Sequence, residues 1–146
     1  MNDLQNLYQE LIIDHGKNPR NFGELNPHDR QAEGFNPLCG DKLTLYLTLT
    51  DDIITEVKFK GAGCAISTAS ASLMTDAIKG KSITEVQQLF SSFHDMITQG
   101  QQTMDLGKLA VLSGVREFPM RVKCATLAWH TLQSALHNAA EIATTE

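Results

Sequence analysis

Cysteine is scarce in this chain of 146 residues: there are three, Cys39, Cys64 and Cys124, and no two form a C-x-x-C pair. An odd thiol count excludes a fully paired disulfide framework. Basic residues are also in deficit, with Lys and Arg at 12 against 17 Asp and Glu, for a formal charge of −5. That balance argues against a general nucleic-acid surface, which must neutralise phosphates. No apolar run approaches the roughly 20 residues of a membrane helix, and Met1-Asn2-Asp3-Leu4-Gln5 lacks a signal-peptide pattern. The expectation is a cytoplasmic protein in a reducing setting, with neither a membrane nor a nucleic acid as partner. The Gly61-Ala62-Gly63 turn is too short for a phosphate loop and has no Gly-Lys-Ser/Thr ending. Internal repeats and linkers are missing too, so residues 1–146 read as a single domain. Aromatics make up 6% of the chain and hydrophobic residues 42%, which predicts a mainly aliphatic core.

What is present is organised by periodicity. Leu4, Leu7, Tyr8, Leu11 and Ile12 recur at helical spacing, with Asp3 as a cap and Gly16 and Pro19 as the stop. Across 42–50 the leucines at 43, 45, 47 and 49 alternate with Thr and Tyr, the period of a half-buried strand. After Asp51-Asp52, Ile53, Val57 and Phe59 alternate with Glu56, Lys58 and Lys60, which predicts an antiparallel hairpin. Residues 32–36 give a fainter third strand. From Ala65 the pattern becomes helical: a small-residue run from Ser67 to Ser72, then Leu73, Met74, Ala77 and Ile78, closed at Gly80. Ser82 and Glu85 form a capping-box signal for a second helix, with Val86, Phe90, Phe93 and Ile97 on its apolar stripe. Residues 100–118 are irregular. Pro119 suits the first turn of a last helix whose packed face carries Leu127, Ala128, Thr131, Ala135, Leu136 and Ala139. The fold class is α+β, a small three-stranded antiparallel sheet covered by helices on one face.

The three thiols sit in distinct frames. Cys39-Gly40-Asp41 enters a strand, and in an extended segment residues i and i+2 share a side, so thiolate and carboxylate can converge. Cys64 closes a glycine turn and opens a helix, where free N–H groups favour a thiolate. Cys124 lies in the first turns of the last helix and could feel the same field. Three sulfurs and the Asp41 carboxylate would satisfy a tetrahedral soft metal. The separations are long, and spacing alone leaves a metal or redox site and three small core residues both open. The histidines offer less. His15 at a helix end reads as an imidazolium complementing the dipole, His28 lies in a polar loop, and His94, His130 and His137 show no partner spacing. Trp129 and the phenylalanines read as core.

The segments Asp14-His15, Asn18-Pro19-Arg20-Asn21, Asn36-Pro37-Leu38-Cys39-Gly40-Asp41 and Gly61-Ala62-Gly63-Cys64-Ala65-Ile66-Ser67, with the cysteine of the last helix, resemble the IscU/NifU-N family of iron–sulfur cluster assembly proteins. The resemblance covers nearly the whole chain and implies an IscU/SufE-like fold. Within the family the chain is similar to the SufU type: Lys123 stands where the scaffold type has a histidine before its third cysteine, and there is an extra segment within 93–112. That resemblance implies a zinc site made by Cys39, Asp41, Cys64 and Cys124, with Cys39 as the catalytic thiol. The implied work is to take persulfide sulfur from a SufS-type cysteine desulfurase and pass it to the SUF scaffold proteins. The alternative it implies is a scaffold on which an iron–sulfur cluster is built. Arg116 and Arg121, flanking Pro119, are the candidates for the desulfurase-docking surface.

Overall fold

The leucine alternation at 43, 45 and 47 becomes the inward face of a central strand. In a computed structural model, residues 3–26, 29–37, 39–101, 104–137 and 143–144 are described, with side chains from residue 6 up to 137. The Asp3 cap, the Leu4 side chain, His28 and Ala139 lie outside the described residues and side chains. The order is helix α1 (Asp3–Lys17), strands β1 (Arg30–Asn36), β2 (Asp41–Thr50) and β3 (Ile53–Ala62), helices α2 (Ala65–Ile78) and α3 (Ile83–Gln99), a 3₁₀ segment (Gly107–Glu117), helix α4 (Pro119–Leu136), and a two-residue strand β4 (Ala143–Thr144).

Strands β1, β2 and β3 form the expected antiparallel sheet, with β2 central, and β4 adds a short parallel pairing at the β1 edge. The hairpin differs from its sequence pattern in one respect. A bulge after Thr48 pairs Leu49 with Ile54 and shifts the phase, so Ile54 is fully buried while Ile53 is 40% exposed. Nor is Gly61-Ala62-Gly63 a turn: β3 continues through Ala62.

Helix α4 covers β1 and β2, and α2 covers β3 and is flanked by α1 and α4. The serines and alanines of α2 are small because helices crowd it from both sides. Ser70 Oγ donates to the Ala125 carbonyl of α4 at 2.5 Å. Ser72 Oγ accepts the Arg20 N–H at 2.8 Å and meets His15 Nδ1 at 2.6 Å. His15 is therefore buried, and burial lowers its pKa, so it acts as a neutral strut rather than as the imidazolium its sequence position suggests. Ser82 and Glu85 form the capping box in full, and Gly100 ends α3 in the left-handed conformation. Trp129 stacks on Phe93 at 4.5 Å in the middle of the core. Phe22 and Phe118, in contrast, are about half exposed (49% and 47%), so not every aromatic is core. No helix among the described residues is long and apolar enough to cross a membrane.

Candidate metal centre

Strand register delivers the site. Asn36, the last residue of β1, pairs with Asp41, the first of β2, and the short connection between them carries Cys39. The Gly40 N–H closes that connection on the Asn36 carbonyl at 2.8 Å, with Gly40 at φ 71, a value that costs a side-chain-bearing residue strain. The sequence argument relied on an extended Cys-Gly-Asp segment; a tight turn achieves the convergence instead. On the other side of β2, Lys42 pairs with Ala62, so Gly63 and Cys64 emerge beside Asp41. A Cβ on Gly63 would lie 2.6 Å from Asp41 Oδ1, so the absence of a side chain there lets the carboxylate sit against the chain. Cys64 then caps α2, its Sγ accepting the Ser67 N–H at 3.4 Å. Helix α4, packed over β1 and β2, supplies Cys124.

The donor atoms of Cys39, Asp41 and Cys124 all lie within 4.8 Å of one another, in a group that could hold a metal ion. The Cys39 and Cys124 sulfurs are 3.4 Å apart, and both cysteines are free thiols. Cys64 stands at the edge of the group, its Sγ 4.0 Å from Asp41 Oδ2. Asp41 is fully buried; its Oδ1 accepts the Cys64 backbone N–H at 2.8 Å and its Oδ2 accepts Asn36 Nδ2 at 3.2 Å. The same Nδ2 donates to Cys124 Sγ at 3.6 Å. Exposure is graded: Cys39 is open to solvent, Cys64 half-buried and Cys124 buried.

Burial above all, then the neighbouring Cys39 and Cys64 sulfurs and Asp41, push the Cys124 thiol far above its ordinary range. This reverses the expectation that the start of α4 would favour a thiolate at Cys124: it lies deep, among other acids. A divalent ion at the centre would reverse the balance and draw the thiols into their anionic form. The donor set, rich in sulfur with one carboxylate, suits zinc or an iron–sulfur cluster far better than a hard cation. Thus three of the four residues singled out from the sequence, Cys39, Asp41 and Cys124, share one metal-capable group, and Cys64 lies beside Asp41 outside it. Asn36 was not among them, and neither was the role of Gly63. No histidine belongs to the metal-capable group among the described residues: His15 is tied to Ser72, and His94 and His130 lie around Phe90 on α3 and α4.

A groove of about 760 Å³ runs between α1, the 3₁₀ segment and the start of α4, and its walls come near the centre along the chain at Ile66, two residues past Cys64, and Arg121, three before Cys124. Tyr8, Ile12, Ile13, Ile66, Phe118 and Arg121 are among its walls. The Arg121 guanidinium lies 4.6 Å from the centre of the Phe118 ring. Arg116 also lines the groove, but its guanidinium packs against Gly100 at the end of α3, where a cation complements the helix dipole.

Comparison with known proteins points to one family. A family model described as the NifU-like N terminal domain matches residues 7–143. The chain is 46% identical over 137 residues to the zinc-dependent sulfurtransferase SufU of Bacillus subtilis, covering 92% of each chain. It is 41% identical over 143 residues to the iron–sulfur cluster assembly scaffold protein IscU of Streptococcus pyogenes, covering 96% of this chain and 89% of the relative. Among solved structures, FiSufU of Fervidobacterium islandicum, described as an iron–sulfur cluster assembly scaffold protein for the SUF system, superposes with a TM-score of 0.82 at 38% identity, over 90% of this chain and 98% of that one.

Proposed function

Because the chain belongs to the family of NifU-like N-terminal domains, we propose that it serves iron–sulfur cluster biogenesis as a zinc-dependent sulfur acceptor. The observation that carries this reading is the convergence of the Cys39, Asp41 and Cys124 donors within 4.8 Å, with Cys64 at their edge. In this reading the four residues are the ligands of one zinc ion. When bound, zinc holds the thiols as thiolates and shields them from oxidation.

The gradient of exposure supports a division of roles. Cys124 and Asp41 are buried and Cys64 is committed to the cap of α2, so these three stay in place. Cys39 faces solvent on a turn with Gly40 as its pivot, and it is the catalytic thiol. Its thiolate attacks the terminal sulfur of a persulfide on a SufS-type cysteine desulfurase. A bond forms between Cys39 Sγ and that sulfur, the partner's sulfur–sulfur bond breaks, and the partner cysteine leaves as a thiolate. The SUF scaffold proteins then receive the sulfur, all in the cytoplasm. The desulfurase docks over the groove between α1 and the start of α4, where Arg121 offers an exposed cation on an otherwise acidic chain. Arg116 contributes less, being spent on α3.

The scaffold reading is favoured by the similarity to IscU of Streptococcus pyogenes, and Lys123 ahead of Cys124 weighs against it, since an ammonium is a poor cluster ligand. Metal analysis with an absorbance spectrum separates the two. A sulfur acceptor is colourless with about one zinc per chain, retained less well in Asp41→Ala. Brown protein holding iron and sulfide would overturn the proposal.

A further inference from the structure

Asn36 is completely buried, and its side-chain amide is aimed at two of the four donors. Its Nδ2 donates to Asp41 Oδ2 at 3.2 Å and to Cys124 Sγ at 3.6 Å. One amide nitrogen carries two hydrogens, one for each contact. A carboxylate and a metal-bound thiolate both only accept, so the nitrogen and not the oxygen of the amide must face them. The other oxygen of Asp41 is already committed, to the Cys64 backbone N–H at 2.8 Å. Asp41 is thus gripped from both sides, and Oδ2 lies 4.0 Å from the Cys64 sulfur and shares the Asn36 amide with Cys124. Asn36 also anchors the Cys39 turn through its carbonyl, which accepts the Gly40 N–H.

We propose that Asn36 is a positioning residue: its amide locks Asp41 Oδ2 and the Cys124 sulfur into a fixed pair that retains the metal when Cys39 leaves it. The proposal rests on the four-ligand reading above. It has two consequences. Asp41 binds through Oδ2, the oxygen that shares the Asn36 amide with Cys124, while Oδ1 is held by the Cys64 N–H and lies against Gly63. And the amide matters most when the fourth ligand is gone, since three donors must then hold the ion unaided. Groups that orient metal ligands from outside in this way are worth roughly 10–100-fold in affinity.

The test is zinc affinity by competition with a chromophoric chelator, together with the cobalt(II) absorption spectrum. It compares the parent, Asn36→Ala and Asn36→Leu, each also in a Cys39→Ser background. Leucine keeps the shape of asparagine without its N–H groups, so packing alone is preserved. Zinc binding is expected to weaken about 10–100-fold in both variants, and by a larger factor in the Cys39→Ser background. The cobalt bands should lose their tetrahedral intensity. A packing role would instead lower the melting temperature of the metal-free form and leave affinity and cobalt spectrum at parent values, and that result overturns the proposal. A parent that binds no zinc overturns the four-ligand reading itself, a different outcome. If neither variant folds, the parent decides. Loaded with spin-active cadmium, it should show an Asn36 side-chain amide proton coupled to the metal through the Cys124 sulfur, and absence of that coupling overturns the proposal.

Discussion

Replacing Gly63 by alanine tests how tightly the backbone is built around Asp41. Gly63 lies outside the left-handed region, so an alanine there meets no backbone strain. Its new Cβ would, however, lie 2.6 Å from Asp41 Oδ1 and 3.1 Å from both Asp41 Cβ and Cγ. An ordinary contact needs about 3.4 Å, so the carboxylate must retreat by about 0.8 Å. Asp41 is fully buried between Cys64 and Asn36, so it cannot retreat without giving up hydrogen bonds. Losing the 2.8 Å bond from the Cys64 N–H costs about 1.5–3 kcal/mol, the range for a bond to a charged group. Metal–ligand distances tolerate about 0.2 Å, so a carboxylate pushed back at Oδ1 also carries Oδ2 out of reach of the ion. The hydrogen-bond cost falls on the stability of the metal-free form, and zinc affinity should fall about 10–100-fold, as when a group that orients a ligand is lost. The assay is chelator competition, with the melting temperature of the metal-free form as control. Gly40→Ala is the companion variant. Its Cβ meets nothing within 4 Å, but its φ is 71, so its cost falls on the backbone of the Cys39 turn. Parent-like zinc affinity in Gly63→Ala would refute the claim that Asp41 is held where a metal needs it.

Three further outcomes are expected. Arg121→Glu should weaken activation of the desulfurase, most at low ionic strength, while zinc content stays at the parent level; unchanged activation at low salt would remove Arg121 from the docking surface. His15 has a pKa held below its ordinary 6.5 by burial, so the folded state resists its protonation and the unfolded state does not. Stability from this residue is complete above about pH 6.5 and is lost as the pH falls below that value; His15→Gln should flatten that part of the melting-temperature profile, and an unchanged slope would contradict the assignment. Diamide treatment of metal-free protein should join Cys39 to Cys124, whose sulfurs are 3.4 Å apart, leaving Cys64 reduced; peptide mapping that finds Cys64 in the first disulfide would contradict the geometry.

Most of the sheet and all four principal helices were legible: α1 and α3 turn one apolar stripe inward, while α2 and α4, buried on most sides, are marked by a small-residue run and by Pro119. The exceptions have physical causes. Strand β1 is faint because its inward positions are Ala32, Gly34 and Asn36: the first two are small and the third serves the metal centre, so no hydrophobic alternation marks it. Ile53 was placed on the wrong face because the bulge after Thr48 resets the phase. The 3₁₀ segment eluded a search at period 3.6, yet Leu106, Leu109, Leu112 and Val115 recur every third residue and all are buried. At the site, the four candidate ligands were legible because thiols and a glycine-flanked carboxylate are chemically conspicuous. Asn36 was not, since an asparagine before proline reads as turn chemistry until the register sets it under Asp41.

The central claim is that Cys39 accepts sulfur, and persulfide mapping measures it most directly. The zinc-loaded chain would be incubated with a SufS-type desulfurase and free cysteine, then examined by intact mass and peptide mapping, in parent and Cys39→Ser protein. The account predicts one added sulfur on Cys39 of the parent and none on the variant. A Cys39→Ser protein that still gains one sulfur and still activates the desulfurase would contradict it, and Cys124 would become the acceptor.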